Sequence, residues 1–238
     1  IRISIIRNGR WFDGTGAPSA VQRVIDLVLA RIRTGEYAPG QIIVARDLMS
    51  ELDVSKAPVR EGIHVLVGEG VMELLPNRSA RIRKLSAKDM VDFAEFWGAI
   101  GGLGMRLAAA HLEHGDNRKK VREALARIQA TGRNRVPYDF FMAVGQLHAT
   151  LADISRNGFI QEFIRGTHVA HFYRHIERGF PGAYWATHLT AFRRLGEALL
   201  AGDGERAERV YLKHMRWAVA LMRQGVGTEA GAGGSGRA

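Results

Sequence analysis

Cysteine is absent from all 238 residues, which removes several kinds of protein at once. No disulfide framework, thiolate metal site or cysteine nucleophile can be built. No apolar run reaches the ~18 residues that a membrane span needs, and no secretory signal stands out. The expected location is cytoplasmic, without membrane contact. A Ser-centred nucleophile elbow is missing, as are a His-x-His pair and a carboxylate-rich metal set, so hydrolysis has little to work with. What the chain does hold is a 46% hydrophobic fraction, enough for a buried core in one large or two ordinary domains. Its formal net charge of +10 suits a polyanionic partner. That excess is spread out: residues 1–84 carry 13 Lys/Arg against 9 Asp/Glu, and the remainder 21 against 15. Placement of the charges therefore matters more than their sum.

Placement is clearest in residues 45–70, A-R-D-L-M-S-E-L-D-V-S-K-A-P-V-R-E-G-I-H-V-L-V-G-E-G. Leu48, Met49 and Leu52 fall at helical spacing, and Asp53-Val54 breaks the run. Ser55 is suited to N-cap a second helix, its hydroxyl accepting from an orphan backbone N–H. Pro58 falls in the first turn, where a missing N–H costs nothing. Val59, Ile63, Leu66 and Val67 continue the apolar face, while Lys56 and Arg60 share another face one turn apart. Residues 71–75 and 79–84 read as two short strands around Pro76-Asn77-Arg78, with Asn tolerant of a tight turn. Two helices followed by a hairpin make a winged helix-turn-helix, with Arg78 at the wing tip and the second helix suited to the major groove. Upstream, 21–33 has helical periodicity and 41–44 can form a small strand.

Three runs, T-G-E-Y-A-P-G-Q-I-I (34–43), V-S-K-A-P-V-R-E (54–61) and G-E-G-V-M-E-L (68–74), resemble the DNA-binding domain of the GntR family of bacterial transcriptional regulators. The likeness covers residues 21–84 without a gap. Beyond it the texture changes to a series of helices, expected near 86–112, 117–131, 137–154, 158–177, 183–201 and 204–224. Here L-H-A-T-L-A-D-I-S-R-N-G-F-I (147–160) and A-F-R-R-L-G-E-A-L-L-A-G-D-G-E-R-A-E-R-V-Y-L-K-H (191–214) resemble the all-helical effector domain, FCD, of the family's FadR branch. Six helices rather than seven would make it VanR-like. The expected fold is thus mainly α: a winged helix-turn-helix with a small β-hairpin (21–84), then an antiparallel all-α bundle for effector binding and dimerisation (85–225). Residues 1–20 form a poorly defined extension whose I-R-I-S-I-I-R-N-G-R-W-F-D-G-T-G-A-P resembles the opening strands of amidohydrolases. Residues 226–238, Gly/Ala-rich, are expected as a disordered tail.

The resemblance implies the contacts. Arg46, Ser55, Lys56, Ala57, Arg60 and Arg78 take the DNA-facing positions, with Lys56 and Ala57 standing where Arg and Thr are common. Arg46 or Arg60 can grip guanine with two hydrogen bonds, which Lys cannot. Many relatives hold a divalent metal through an Asp, a His one turn on and two further His, positions that here read Val144, His148, Phe192 and His214. His188, one turn before Phe192, can replace a lost ligand. Two readings stay open: a Zn or Ni site on His148, His214 and His188, or a metal-free pocket in which the imidazoles hydrogen-bond an effector or each other. Trp97 and Gly101 stand where Arg and Glu are usual, so the effector, an organic acid or a more apolar metabolite, meets Trp97, His148, His188 and His214. His168, His171 and His175 share a helical face. G-A-I-G-G-L-G (98–104) sits inside a helical pattern, where its four glycines cost about 0.8–1 kcal/mol each relative to Ala. They imply either close helix packing or room for a bulky ligand. The function expected is a sequence-specific DNA-binding transcriptional regulator, a repressor binding a palindromic operator in double-stranded DNA as a homodimer under small-molecule control. The alternatives are a metal-dependent hydrolase-like enzyme and an effector-independent DNA binder.

Overall fold

The computed structural model describes residues 5–7, 10–12, 17–76, 79–167 and 184–232, with backbone alone at 5–7, 10–12 and 225–232. Two compact units divide it, one built on Ile1–Leu85 and the other on Ser86–Ile164 with the last two helices.

The first unit opens with an antiparallel pair, β1 (Ile5–Arg7) and β2 (Arg10–Phe12), so the leading extension is strand-like in part. Helix α1 (Ala20–Thr34) starts at Ser19, whose hydroxyl accepts from the Gln22 N–H at 3.1 Å. Helix α2 (Ala45–Leu52) closes at Asp53, held in the left-handed region (φ 49°), where a short polar side chain is better tolerated than a branched one. Helix α3 (Lys56–Gly68) buries Val59, Ile63 and Leu66 against the core of α1 and the sheet. Its Gly62 makes that possible, because a Cβ there would lie 2.8 Å from Val24 Cγ1 of α1. Strands β3 (Ile42–Ile43), β4 (Met72–Leu74) and β5 (Ala80–Ile82) form an antiparallel sheet in the order β3-β5-β4. Glu73 lies opposite Arg81 in register, and the two are ion-paired at 2.7 Å.

The second unit contains α4 (Ala87–Ala109), α5 (Asn117–Ala130), α6 (Pro137–Ser155), α7 (Gly158–Gly166), α8 (Trp185–Leu200) and α9 (Gly204–Ala232). Ser86 and Asp89 close a capping box at the start of α4, each side chain bonding the other's backbone N–H. The S-R-N run is a corner: Arg156 is left-handed, the Asn157 amide N–H reaches Ser155 Oγ, and Asn157 Oδ1 accepts from Ile160 N–H. The A-G-D run is another, with Asp203 Oδ1 accepting from the Arg206 N–H at the foot of α9. Both resemblance motifs in this half therefore span a turn between two helices.

Two boundaries depart from the sequence reading. The helix expected over 158–177 ends at Gly166, where Gly and Thr in succession are poor helix formers; 168–183 and the three histidines there lie outside the described residues. Whether six or seven helices build this unit rests on that same segment. The tail expected from 226 instead continues α9 to Ala232, since extending an existing helix avoids the cost of nucleation.

Gly98, Gly101 and Gly102 of α4 face α9, and Gly101 also faces α6. A Cβ on Gly98 would sit 3.2 Å from Met215 Cβ, and one on Gly101 would sit 2.7 Å from His148 Nε2 and 2.9 Å from Tyr211 Cε1. Of the two roles open to them, Gly98 and Gly101 serve close packing. Gly101→Ala gains up to ~1 kcal/mol in helix propensity but overpacks a buried site, at a cost of about 1–3 kcal/mol. We expect net destabilisation in urea unfolding; a stabilised variant would contradict the packing described.

Candidate nucleic-acid interface and buried histidines

Burying Val59, Ile63 and Leu66 turns the opposite side of α3 outward. Ser55, Lys56, Ala57 and Arg60 are all exposed there, and Arg46 is exposed on α2. Arg46, Lys56 and Arg60 have no ion pair among the described residues, unlike Arg31, which is bound to Glu36 and Glu51. Ser55 occupies the N-cap position (φ −71°, ψ 171°), yet its side chain makes no capping bond, contrary to the role expected of it. Its backbone geometry suits a cap, but the third helical position is Pro58, which has no N–H to donate, and the N–H groups of Lys56 and Ala57 keep their positive end for a partner. Arg78 lies outside the described residues; the strands that carry it are closed by the Leu75 N–H bonding to Ser79 O at 2.8 Å.

The helical unit separates its histidines. His148 is buried on α6 and uses both ring nitrogens. Val144 O can only accept, so Nδ1–H donates to it at 2.8 Å, leaving Nε2 to accept from the Tyr211 hydroxyl at 2.8 Å. Trp97 of α4 lies beside that ring, with centroids 5.1 Å apart. His188 and His214, from α8 and α9, share one hydrogen bond of 3.2 Å between Nδ1 and Nε2. Phe140, Phe192 and Trp217 surround them. Burial drives all three pKa values down from the usual 6.5: His148 to about 4, despite its bond to Val144, and His214 to about 4. His188 falls to about 3 through burial and then the neighbouring His214.

These residues do not fit a divalent metal as they stand. Among the described residues no three His, Cys, Asp or Glu side chains gather at ligating distance. His148 is engaged by Val144 and Tyr211, and Val144 and Phe192 are apolar. Tyr211 went unnoticed in the sequence, although it lies three residues before His214 and so shares its helical face. Also unnoticed was a cavity of about 560 Å³ between α8 and α9, lined by Thr187, Thr190, Arg194, Lys213, His214 and Trp217 among others.

A winged helix-turn-helix with an exposed basic recognition helix, followed by a helical bundle, defines a DNA-binding regulator with a second functional domain. The comparisons agree. Residues 20–82 match the model described as bacterial regulatory proteins, gntR family, and 92–216 match the FCD domain. The chain belongs to the GntR family, with an FCD domain, and is a DNA-binding transcriptional regulator. It is 25% identical over 200 residues to the "Probable D-xylose utilization operon transcriptional repressor" of Paenarthrobacter nicotinovorans, covering 83% of this chain and 86% of that one. In fold it is similar to a GntR transcriptional regulator of Rhodococcus sp. RHA1 (TM-score 0.71, 21% identity, 86% and 97% of the two chains). It is also similar to McbR/YncC of E. coli (TM-score 0.67, 17% identity, 87% and 98%). No helix among the described residues is long and apolar enough to cross a membrane.

The histidines make stability depend on pH. In the unfolded chain they protonate near 6.5, and in the folded chain only near 4 and 3. The stability these histidines contribute is therefore present above pH 6.5 and is lost as pH falls through about 4 and 3, at up to about 1.4 kcal/mol per pH unit for each. Urea midpoints should drop between pH 7.5 and 5.5, and His148→Gln should flatten the slope. A flat wild-type profile would contradict the buried neutral imidazoles.

Proposed function

We propose that the chain represses transcription by binding a palindromic operator as a homodimer, and that a small molecule held in the helical unit sets its operator affinity. The observation that carries the DNA half is the exposed first turn of α3, where Lys56 and Arg60 have no ionic partner among the described residues and stand on a tightly packed helix. Arg60 offers a fork for a guanine edge, Lys56 a phosphate contact, and Ser55 and the free N–H groups a second phosphate contact. Arg46 and the wing residue Arg78 complete the footprint, with Ala57 close to the bases. Two-fold symmetry in the protein matches two half-sites.

The repressor role is supported by the name of the relative from Paenarthrobacter nicotinovorans. Effector control is supported by a second unit larger than DNA binding needs, with Trp97, His148, His188 and His214 buried inside it. We read the histidines as a metal-free hydrogen-bonding set, because charge placed among imidazoles and aromatic rings lacks a compensating carboxylate. Elemental analysis after dialysis tests this, and a stoichiometric Zn or Ni would overturn it. A metal-dependent hydrolase-like alternative would need a metal set that the described residues do not assemble.

Arg60→Ala should weaken operator binding about ten- to hundredfold in a mobility-shift assay at fixed salt, corresponding to ~1–3 kcal/mol. Unchanged affinity would remove the recognition-helix assignment. Light scattering should give about 53 kDa, twice the chain's 26.3 kDa. A monomer at micromolar concentration would contradict the two-fold operator.

A further inference from the structure

The cavity between α8 and α9 is open to solvent-exposed cations from two facing helices. Arg194 reaches it from α8 and Lys213 from α9, and among the described residues none that lines it is acidic. Some exposed cations of this unit are matched by a carboxylate one turn away: Lys119 and Arg127 with Glu123, Lys120 with Asp116, Arg209 with Glu205. Arg194 and Lys213 have no such partner among the described residues. Two like charges gathered at one cleft without a counter-charge repel each other, and an anion between them relieves that repulsion.

The rest of the lining narrows the anion. Thr187 and Thr190 add hydroxyls, while Ala186, Ala191 and Val210 keep the floor apolar. Trp217 is half-buried and stacks on His214 (5.5 Å between centroids, 29° between planes), which fixes its ring as part of the wall. A bare inorganic ion would leave that apolar surface wet. A volume of about 560 Å³ falls in the range of small-molecule sites. We propose that this groove binds a small organic carboxylate with a flat apolar face, the carboxylate held by Arg194 and Lys213 and the face laid on Trp217. Guanidinium presents two parallel N–H donors to a carboxylate, so Arg194 is the principal anchor.

The groove shares only His214 with the histidine and Trp97 set, so it is a separate site. A ligand seated on Trp217 presses on His214 and, through the hydrogen bond, on His188. That route into the bundle rests on the effector-controlled reading above; the binding itself does not.

Calorimetry on the full chain with benzoate, D-galacturonate, D-xylose and inorganic phosphate tests the site, alongside Arg194→Ala and Lys213→Ala. Both substituted residues are exposed, and circular dichroism checks that the variants fold. We expect benzoate or D-galacturonate to saturate at one per chain, and which of them binds separates an aromatic acid from a sugar acid. Each substitution should weaken that binding at least tenfold, with D-xylose and phosphate at least tenfold weaker than the organic acid. Failure of both acids to saturate, equal affinity in the variants, or phosphate binding as tightly would overturn the proposal. Operator affinity measured on the same samples keeps the two readings apart. Carboxylate binding that leaves the operator affinity unchanged supports the groove and contradicts the route from it into the bundle.

Discussion

Both units depend on the same constraint, the closeness with which two helices pack when one of them lacks a side chain at the crossing. In the first, Gly62 of α3 lets the Val24 side chain of α1 reach the α3 backbone, at a spacing where any Cβ would collide. In the second, Gly98 and Gly101 do the same for Met215, His148 and Tyr211 against α4. Cores at this density do not deform smoothly, because small volume changes are felt as strain. Helix positions are therefore fixed, and with them the outward residues.

From that constraint the functional surfaces follow. Seating α3 on α1 buries Val59, Ile63 and Leu66 and leaves Lys56 and Arg60 no direction but solvent. Seating α4 close to α6 and α9 brings Tyr211 to His148, so that a polar ring in the core has a partner on each nitrogen. The His188–His214 pair is joined by one hydrogen bond, and burial disfavours a positive charge on either ring. Polar groups buried in this way rigidify a core when matched and destabilise it when charged.

Much of this was legible in the residues. The break at Asp53-Val54, Pro58 in a first turn and the i, i+4 spacing of Lys56 and Arg60 led to the helix-turn-helix, because local chemistry decides those features. The resemblance motifs placed His148 and His214 on different helices. What the sequence could not show depends on tertiary geometry. Whether the α4 glycines mean packing or space depends on what lies opposite them. Ser55 has the right residue type for a cap, but Pro58 removes the N–H three residues on that such a cap bonds, and the missing bond shows only once the helix start is placed. Tyr211, Arg194 and Lys213 look like ordinary helix-surface positions until α8 and α9 are set side by side. Helix ends were the least legible, as the stop at Gly166 and the run to Ala232 show, since they turn on small differences in propensity and propagation.

The central claim is that the first turn of α3 reads DNA sequence rather than merely attracting its charge. Replacing Arg60 by Lys keeps the charge but loses the guanidinium fork. The decisive quantity is the ratio of affinities for the operator and for scrambled DNA of the same length, at one salt concentration. The account predicts that Arg60→Lys leaves scrambled-DNA binding nearly unchanged while the ratio falls about tenfold or more. A ratio equal to that of the wild type would contradict it.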